Sequence, residues 1–291
     1  MAARQTRLIA LLVLIASAAV LIRPAGANPP KRIVSLVPSI TQELFAIGAG
    51  PQVVGVSNFD TFPDAVKSLP HVGGLLDPDT ERIFSLRPDL VVVYGSQAEL
   101  ETRFARAGIR TFNYKHAGIA NVLDSIRQIA KLTEHEQEGD RVIRAIQKQL
   151  DDVRARVKGL PRPRTLLVMD RQPNTLREVY ASGGFGFLHE MLDIAGGDNV
   201  FADVSRESVQ PSIETLLAKS PDVIVEVRAE RLGQPSPSAD ERKVWAPLAS
   251  APAVRNARIY VLAGEYLVVP GPRLGQGVQA IARTLHPEAF K

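Results

Sequence analysis

The chain has 291 residues, 35 lysines and arginines against 31 acids, and no cysteine. Without cysteine there is no disulfide, no thiolate metal site and no thiol to carry a lipid anchor. Part of the basic excess is Arg4, Arg7 and Arg23 in the first 27 residues, and no long basic run with interleaved aromatics follows, so nucleic acid is not an expected partner.

Residues 1–27 read as a secretory signal peptide, with a basic start, an apolar core from Leu8 to Val20 and the small-residue pattern Ala25-Gly26-Ala27. That core is shorter than the roughly 20 residues a membrane-spanning helix needs. The expectation is cleavage near Ala27 and an exported, periplasmic, monomeric chain without a lipid anchor. From Arg32 onward, short β-branched runs alternate with helical segments, the pattern of α/β units with mainly parallel strands. Strands are predicted over 32–36, 53–57, 90–94 and 110–113, with helices over 40–47, 80–86, 97–107 and 119–132.

The longest helical pattern follows, over 135–158. Val142, Ile146, Leu150, Val153 and Val157 fall on one stripe, acids crowd the start, bases the end, and Gly159 and Pro161 supply a stop. Gly139 reads as a weak point. About 20 residues at 1.5 Å each span about 30 Å, the length of a strut between two lobes. Beyond a Pro-rich stretch at 160–164 the pattern restarts, with strands over 165–169, 223–227 and 259–262, helices over 187–195, 213–219 and 274–285, and a Pro/Ser-rich surface loop from Gly233 to Asp240. The expected fold is two α/β lobes with mainly parallel sheets joined by one long backbone helix: residues 28–133, 134–160 and 161–291.

One piece of grammar occurs twice. Glu81 stands seven positions before Pro88-Asp89 and the strand at Leu90; Glu214 stands seven before Pro221-Asp222 and the strand at Val223. A short helix that a proline stops and turns into a buried strand accounts for it, and points to two lobes of like construction with a ligand cleft between them.

These residues, with 32–36 before Pro38-Ser39, Val54-Gly55-Val56-Ser57, Ala195-Gly196-Gly197 before Asn199-Val200-Phe201, and Gly271-Pro272-Arg273 through His286-Pro287-Glu288, resemble the periplasmic substrate-binding proteins of ABC importers for metal chelates. That group contains binders of vitamin B12, ferric siderophores and haem. The resemblance runs from about Arg32 to the end and implies a receptor that captures a corrinoid, or alternatively a ferric siderophore or haem, and delivers it to an inner-membrane permease. It implies that Glu81 and Glu214 dock onto arginines of that permease. Two departures stand out: Thr41 is followed by Gln42 with Glu43 one place late, and Tyr94 and Val209 stand where the B12 binder carries tryptophans.

Ligands of open α/β lobes sit at the carboxyl ends of strands. Phe59, Tyr94, Arg171, Tyr180, Arg228 and Tyr266 lie there: rings for the flat face of a macrocycle or catecholate, arginines for phosphate, carboxylate or propionate. Trp245, in a helical stretch away from these strand ends, reads as structural. The five histidines are scattered without ligand spacing, so no bare metal ion is expected; His135 and His286 sit in exposed-looking contexts, and an axial role for His71 or His116 toward a chelated metal stays open. No G-x-S-x-G, no H-E-x-x-H and no cysteine nucleophile is present, 182–186 reads as a tight turn, and no spacing makes Asp170 and Glu190 an acid/base couple. No catalytic residue or cofactor is expected. An exported hydrolase is the alternative class, which turnover of a chromogenic ester or phosphate would reveal.

Overall fold

The structure, a computed structural model, describes residues 28–229 and 239–291. The predicted signal segment and residues 233–238 of the predicted loop lie outside the described residues.

Short β-branched runs build the first sheet. Strands β1 (Ile33–Ser35), β2 (Val53–Val56), β3 (Leu90–Tyr94) and β4 (Arg110–Tyr114) pair in the order β2-β1-β3-β4, all parallel. Helices α1 (Pro38–Ala46), α2 (Thr80–Ser85), α3 (Ala98–Arg106) and α4 (Ile119–Leu132) follow β1 and precede or follow β3 and β4. The pleat divides the side chains. Val34, Leu36, Val91 and Val93 pack outward with Ile83, Leu100 and Phe104, while Ile33, Leu90 and Val92 face an inner core.

The strut is α5 (Glu136–Val157). Its buried face is Gly139, Ile143, Ile146, Leu150, Val153 and Val157, a repeat of four, three, four, three and four. Val142 is thus a flanking residue and Ile143 the central one, a correction of one position at the N-terminal end of the stripe. Gly139 is corrected too. A Cβ there would lie 2.5 Å from the Cβ of Ala130, so glycine lets α4 and α5 approach closely. The residues on this stripe share one core with both sheets, including Ile33 and Val92 on one side and Leu167 and Val225 on the other.

The second sheet is mixed. Its elements in chain order are β5 (Arg164–Asp170), β6 (Tyr180–Ser182), α6 (Phe187–Ile194), β7 (Asp198–Asn199), β8 (Ser208–Val209), α7 (Ile213–Lys219), β9 (Val223–Arg228), α8 (Pro252–Arg255), β10 (Ile259–Ala263) and α9 (Leu274–Leu285). The strand order is β10-β9-β5-β6-β8 with β7 on β5; β6 runs antiparallel to both its neighbours. Strands of two or three residues carry no readable period, which is why β6, β7 and β8 went unpredicted. Trp245 lies in a 3-10 helix, Ala239–Leu248, and is fully buried against the outer face of this sheet.

The repeated grammar has a structural counterpart in each lobe. The Asp89 carboxylate accepts hydrogen bonds from the amides of Lys31 (2.8 Å) and Arg32 (3.0 Å) at the entry to β1, and the Arg32 guanidinium donates to the Leu86 carbonyl at the end of α2. In the second lobe the Asp222 carboxylate accepts from the Arg164 amide (3.1 Å) at the entry to β5, and the Arg164 guanidinium donates to the Lys219 carbonyl at the end of α7 (2.5 Å). Arg87 and Ser220, each preceding the proline, share φ of +46°. Register agrees as well: Ile33 pairs with Leu90, Thr165 with Val223.

Candidate functional site

The carboxyl ends of the parallel strands in the two lobes face one another, and contacts tie them at both edges. At the β2/β10 edge Arg273, just before α9, reaches from the second lobe to the first. Its Nε donates to Gln42 Oε1 (3.3 Å), its guanidinium lies 3.7 Å from the Phe62 ring centroid, and it pairs with Glu265 at 2.7 Å. At the opposite edge His116, after β4, meets Phe187 edge-on at 5.3 Å and approaches Glu207 Oε2 at 4.0 Å. Three residues further along each of these segments, Glu190 Oε2 accepts the amide hydrogen of Ile119 (2.7 Å) at the N-terminus of α4, where that dipole favours a carboxylate. A groove of about 680 Å3 bordered by Ile119, Leu150, Arg154 and Glu190 lies behind this contact.

A row of rings runs from the cleft into that second edge, with Tyr94 and His116 half-buried and Tyr114 and Phe187 buried behind them. Tyr94 packs edge-on against Tyr114 (6.0 Å), Tyr114 lies 6.3 Å from the His116 ring, and Phe187 completes the row from the second lobe. Burial, and then Glu207, raise the Tyr94 phenol above its ordinary pKa. Burial holds His116 below its ordinary value against the opposing pull of Glu207. Glu207 itself is held by β6 and β8: its carbonyl accepts from Gly183 N (3.1 Å), and its side chain stays 44% exposed.

Asp60, after β2, is buried. Its Oδ2 accepts the Ser57 amide hydrogen at 2.8 Å, while Oδ1 has no partner among the described residues. Burial outweighs the opposing hydrogen bonding at Ser57 and, with a small push from Glu265, moves its pKa up to about 6. Gln42 Nε2 is likewise buried without a partner among the described residues. The shifted acid of α1, Glu43, points elsewhere: Ser125 Oγ donates to it at 2.7 Å, and complete burial raises its pKa well above the carboxylate range.

Residues 33–266 match the model of a known family, that of the periplasmic binding proteins. The chain belongs to this family. An uncharacterised ABC transporter substrate-binding lipoprotein of Bacillus subtilis is 30% identical over 268 residues, covering 90% of this chain and 82% of the relative. The vitamin B12-binding protein of Vibrio vulnificus is 27% identical over 251 residues, covering 85% and 87%. Among solved structures, the periplasmic haem-binding protein from Roseiflexus sp. RS-1 superimposes with a TM-score of 0.74 at 25% identity, covering 89% of this chain and 99% of that one. This is therefore a periplasmic binding protein of the ABC importer type, with the two-lobed α/β fold.

Within this binding protein the six predicted ligand residues divide. Phe59 is 67% exposed, Tyr180 is exposed on β6 opposite Asp170, and Tyr94 and Tyr266 are half-buried. Arg171 and Arg228 are engaged by carboxylates. Arg171, with only 4% of its side chain exposed, donates through Nε to Glu226 Oε1 (3.1 Å) and lies 3.6 Å from Glu241. Arg228 donates to Glu226 Oε2 (2.5 Å) and pairs with Glu241. Burial works against the Arg228 guanidinium, but its bonds to Glu226 and Glu241 outweigh that and hold its pKa above the ordinary value. The indole Nε1 of Trp245 donates to Glu226 Oε1 at 2.6 Å. Trp245 is buried as a structural residue would be, yet it bonds a residue two places from the end of β9, so its predicted remoteness from the strand ends is corrected.

His286 is corrected as well: it is buried, and its Nε2 lies 3.2 Å from the Gly196 carbonyl. Glu81 and Glu214 are exposed, each two residues after a helix cap, Asp79 accepting from Arg82 N and Ser212 from Thr215 N. Among the described residues no three His, Asp or Glu side chains gather as a metal ion requires. Sequence reading missed Glu207, Phe62 and the clasp role of Arg273. The first lies in a stretch without period, and the Gly-rich turn at 182–186, which receives it, was the only signal.

Proposed function

We propose that this chain is an exported receptor that takes a metal chelate, a corrinoid first among the candidates, between its lobes and delivers it to an inner-membrane ABC permease without catalysing a reaction. The observation that carries this reading is the row of rings Tyr94, Tyr114, His116 and Phe187, which crosses from one lobe to the other at the carboxyl ends of the strands. Tyr94 and His116, half-buried at the cleft and backed by the buried Tyr114 and Phe187, give rigid, apolar contact to a flat macrocycle, and a row that spans both lobes makes capture depend on the cleft. The relatives named for vitamin B12 and for haem support the chelate class.

The membrane partner would be met by Glu81 and Glu214. Both lie in the first turns of helices that begin at the cleft edge of their sheets, one per lobe, at the same offset from the cap. Their exposure suits charge pairs at an interface rim, which steer encounter and fix orientation.

Isothermal titration of residues 28–291 with cyanocobalamin, then with haemin and ferric siderophores, tests the reading. One-to-one binding of cyanocobalamin below micromolar Kd is the expected result. Heat from a ferric chelate alone would move the ligand to iron uptake, and turnover of an ester or phosphate would replace the receptor with a hydrolase.

A further inference from the structure

The cleft has a charge balance that the ligand must answer. Three arginines at the carboxyl ends of the second lobe's strands or in the loops beyond them are buried or half-buried, and each already faces a carboxylate: Arg171 and Arg228 share Glu226 and Glu241, and Arg273 holds Glu265. One further carboxylate, Glu207, is 44% exposed at the cleft with no arginine or lysine within salt-bridge distance among the described residues, and the buried Asp60 beneath β2 has none either. Asp60 keeps one oxygen buried and unpartnered. Among the described residues the basic group beside Glu207 in the ring row is His116, which burial biases toward the neutral form. Lys115 lies against Gly95, and Arg206, exposed like Glu207, forms no salt bridge with it.

We infer that this cleft selects neutral or singly cationic chelates over polyanionic ones, and that the Glu207 carboxylate reads the ligand's positive charge. The inference rests on the receptor reading above and narrows its substrate class. A polyanion would have to displace Glu226, Glu241 or Glu265 from its arginine or bring its charge against Glu207; breaking a buried pair leaves one charge uncompensated. A neutral or cationic complex lies on the rings and leaves every pair intact.

The test holds the scaffold constant and varies charge. At pH 6.5 and low salt, residues 28–291 are titrated with aquocobalamin (cationic) and cyanocobalamin (neutral), with a monocationic and a neutral ferric trihydroxamate, and with haemin and a trianionic ferric tris-catecholate. The cationic member of at least one scaffold pair is expected to bind about tenfold tighter than its neutral partner, the scale of one close charge contact. Glu207→Gln, at an exposed side chain whose backbone contacts it keeps, is expected to abolish that preference with an unchanged melting temperature. Haemin, with its two propionates, and the trianionic tris-catecholate are expected to bind at least about a hundredfold more weakly than the best ligand. Tight binding of haemin or the tris-catecholate, or a preference that survives Glu207→Gln, overturns the inference while keeping the receptor. No binding by any of the six overturns both.

Discussion

The two lobes share one joint and differ in what they attach to it. In each, an aspartate after proline grips the amide entering the first strand, an arginine there returns to the carbonyls ending the short helix, and the residue before proline sits at φ +46°. From that common frame Leu90 corresponds to Val223 and Val93 to Glu226. In the first lobe the position is apolar, and Val93 packs into an outer core with Phe104. In the second it is a 98% buried carboxylate gathering Arg171, Arg228 and Trp245. The second sheet also adds antiparallel β6 and β8, and with them Glu207 on the cleft. What recurs makes the fold; what differs lies at the strand ends and gives the cleft its chemistry.

The strongest way to break the comparison is to erase that difference by halves. Glu226→Ala is expected to cost about 3–5 kcal/mol, because it leaves the Arg171 guanidinium buried without its closest counter-charge. Val93→Ala, at the matching place in the first lobe, removes two methyl groups and is expected to cost about 2 kcal/mol. Urea unfolding measures both, and a loss at Glu226 no larger than that at Val93 would mean the network is not what holds the second lobe's outer face.

Asp60 offers the next effect, one with no counterpart in the second lobe. Its folded pKa of about 6 lies above the 3.8 of an unperturbed aspartate. A raised acid is held more readily in its protonated form by the folded chain, so its burial costs nothing below pH 3.8, and stability is lost as pH rises from about 4 through 6. The gap corresponds to about 3 kcal/mol. Asp60→Asn keeps an acceptor for the Ser57 amide and carries no charge, so it is expected to raise the melting temperature at pH 8, with the gain vanishing near pH 4. An equal gain at both pH values would show that ionisation is not the cause.

Smaller still, and a direct measure of likeness, is the joint itself. Asp89→Ala removes two charge-assisted hydrogen bonds from backbone amides and Asp222→Ala one, a bond of this kind being worth about 1.5–3 kcal/mol. By chemical denaturation the loss at Asp89 is expected to exceed that at Asp222, and a larger loss at Asp222 would show that the lobes share a geometry but not its energetics.

Where the sequence was legible follows from how local the cause is. The joint could be read because helix, proline, aspartate and strand lie within ten residues. The strut could be read because its apolar repeat runs for 22 residues, although the pattern admitted Val142 where packing chose Ile143. Strand-end logic located Arg171 and Arg228 but not their partner, because Glu226 sits inside a run that reads as an apolar strand and is brought beside Arg171 by the pairing of β5 with β9. Glu207 depended on two strands too short to carry a period. Local chemistry writes elements; only sheet pairing writes the cleft.

The smallest effect on folding carries the sharpest functional contrast. Glu81 and Glu214 are exposed, and a solvated first-turn acid adds little to its helix, so neither single alanine variant should alter ligand affinity or shift the unfolding midpoint appreciably. The Ser212 hydroxyl holds the Glu214 carboxyl below its ordinary pKa, keeping it ionised down to acid pH. If the permease reads the two lobes as equivalents, Glu81→Ala and Glu214→Ala should reduce uptake by like amounts and the double variant by more than either, with binding to the free receptor unchanged. Full uptake by the double variant would end the docking role. A loss confined to one of the two would show instead that the lobes, alike at their joints, present unlike faces to the membrane.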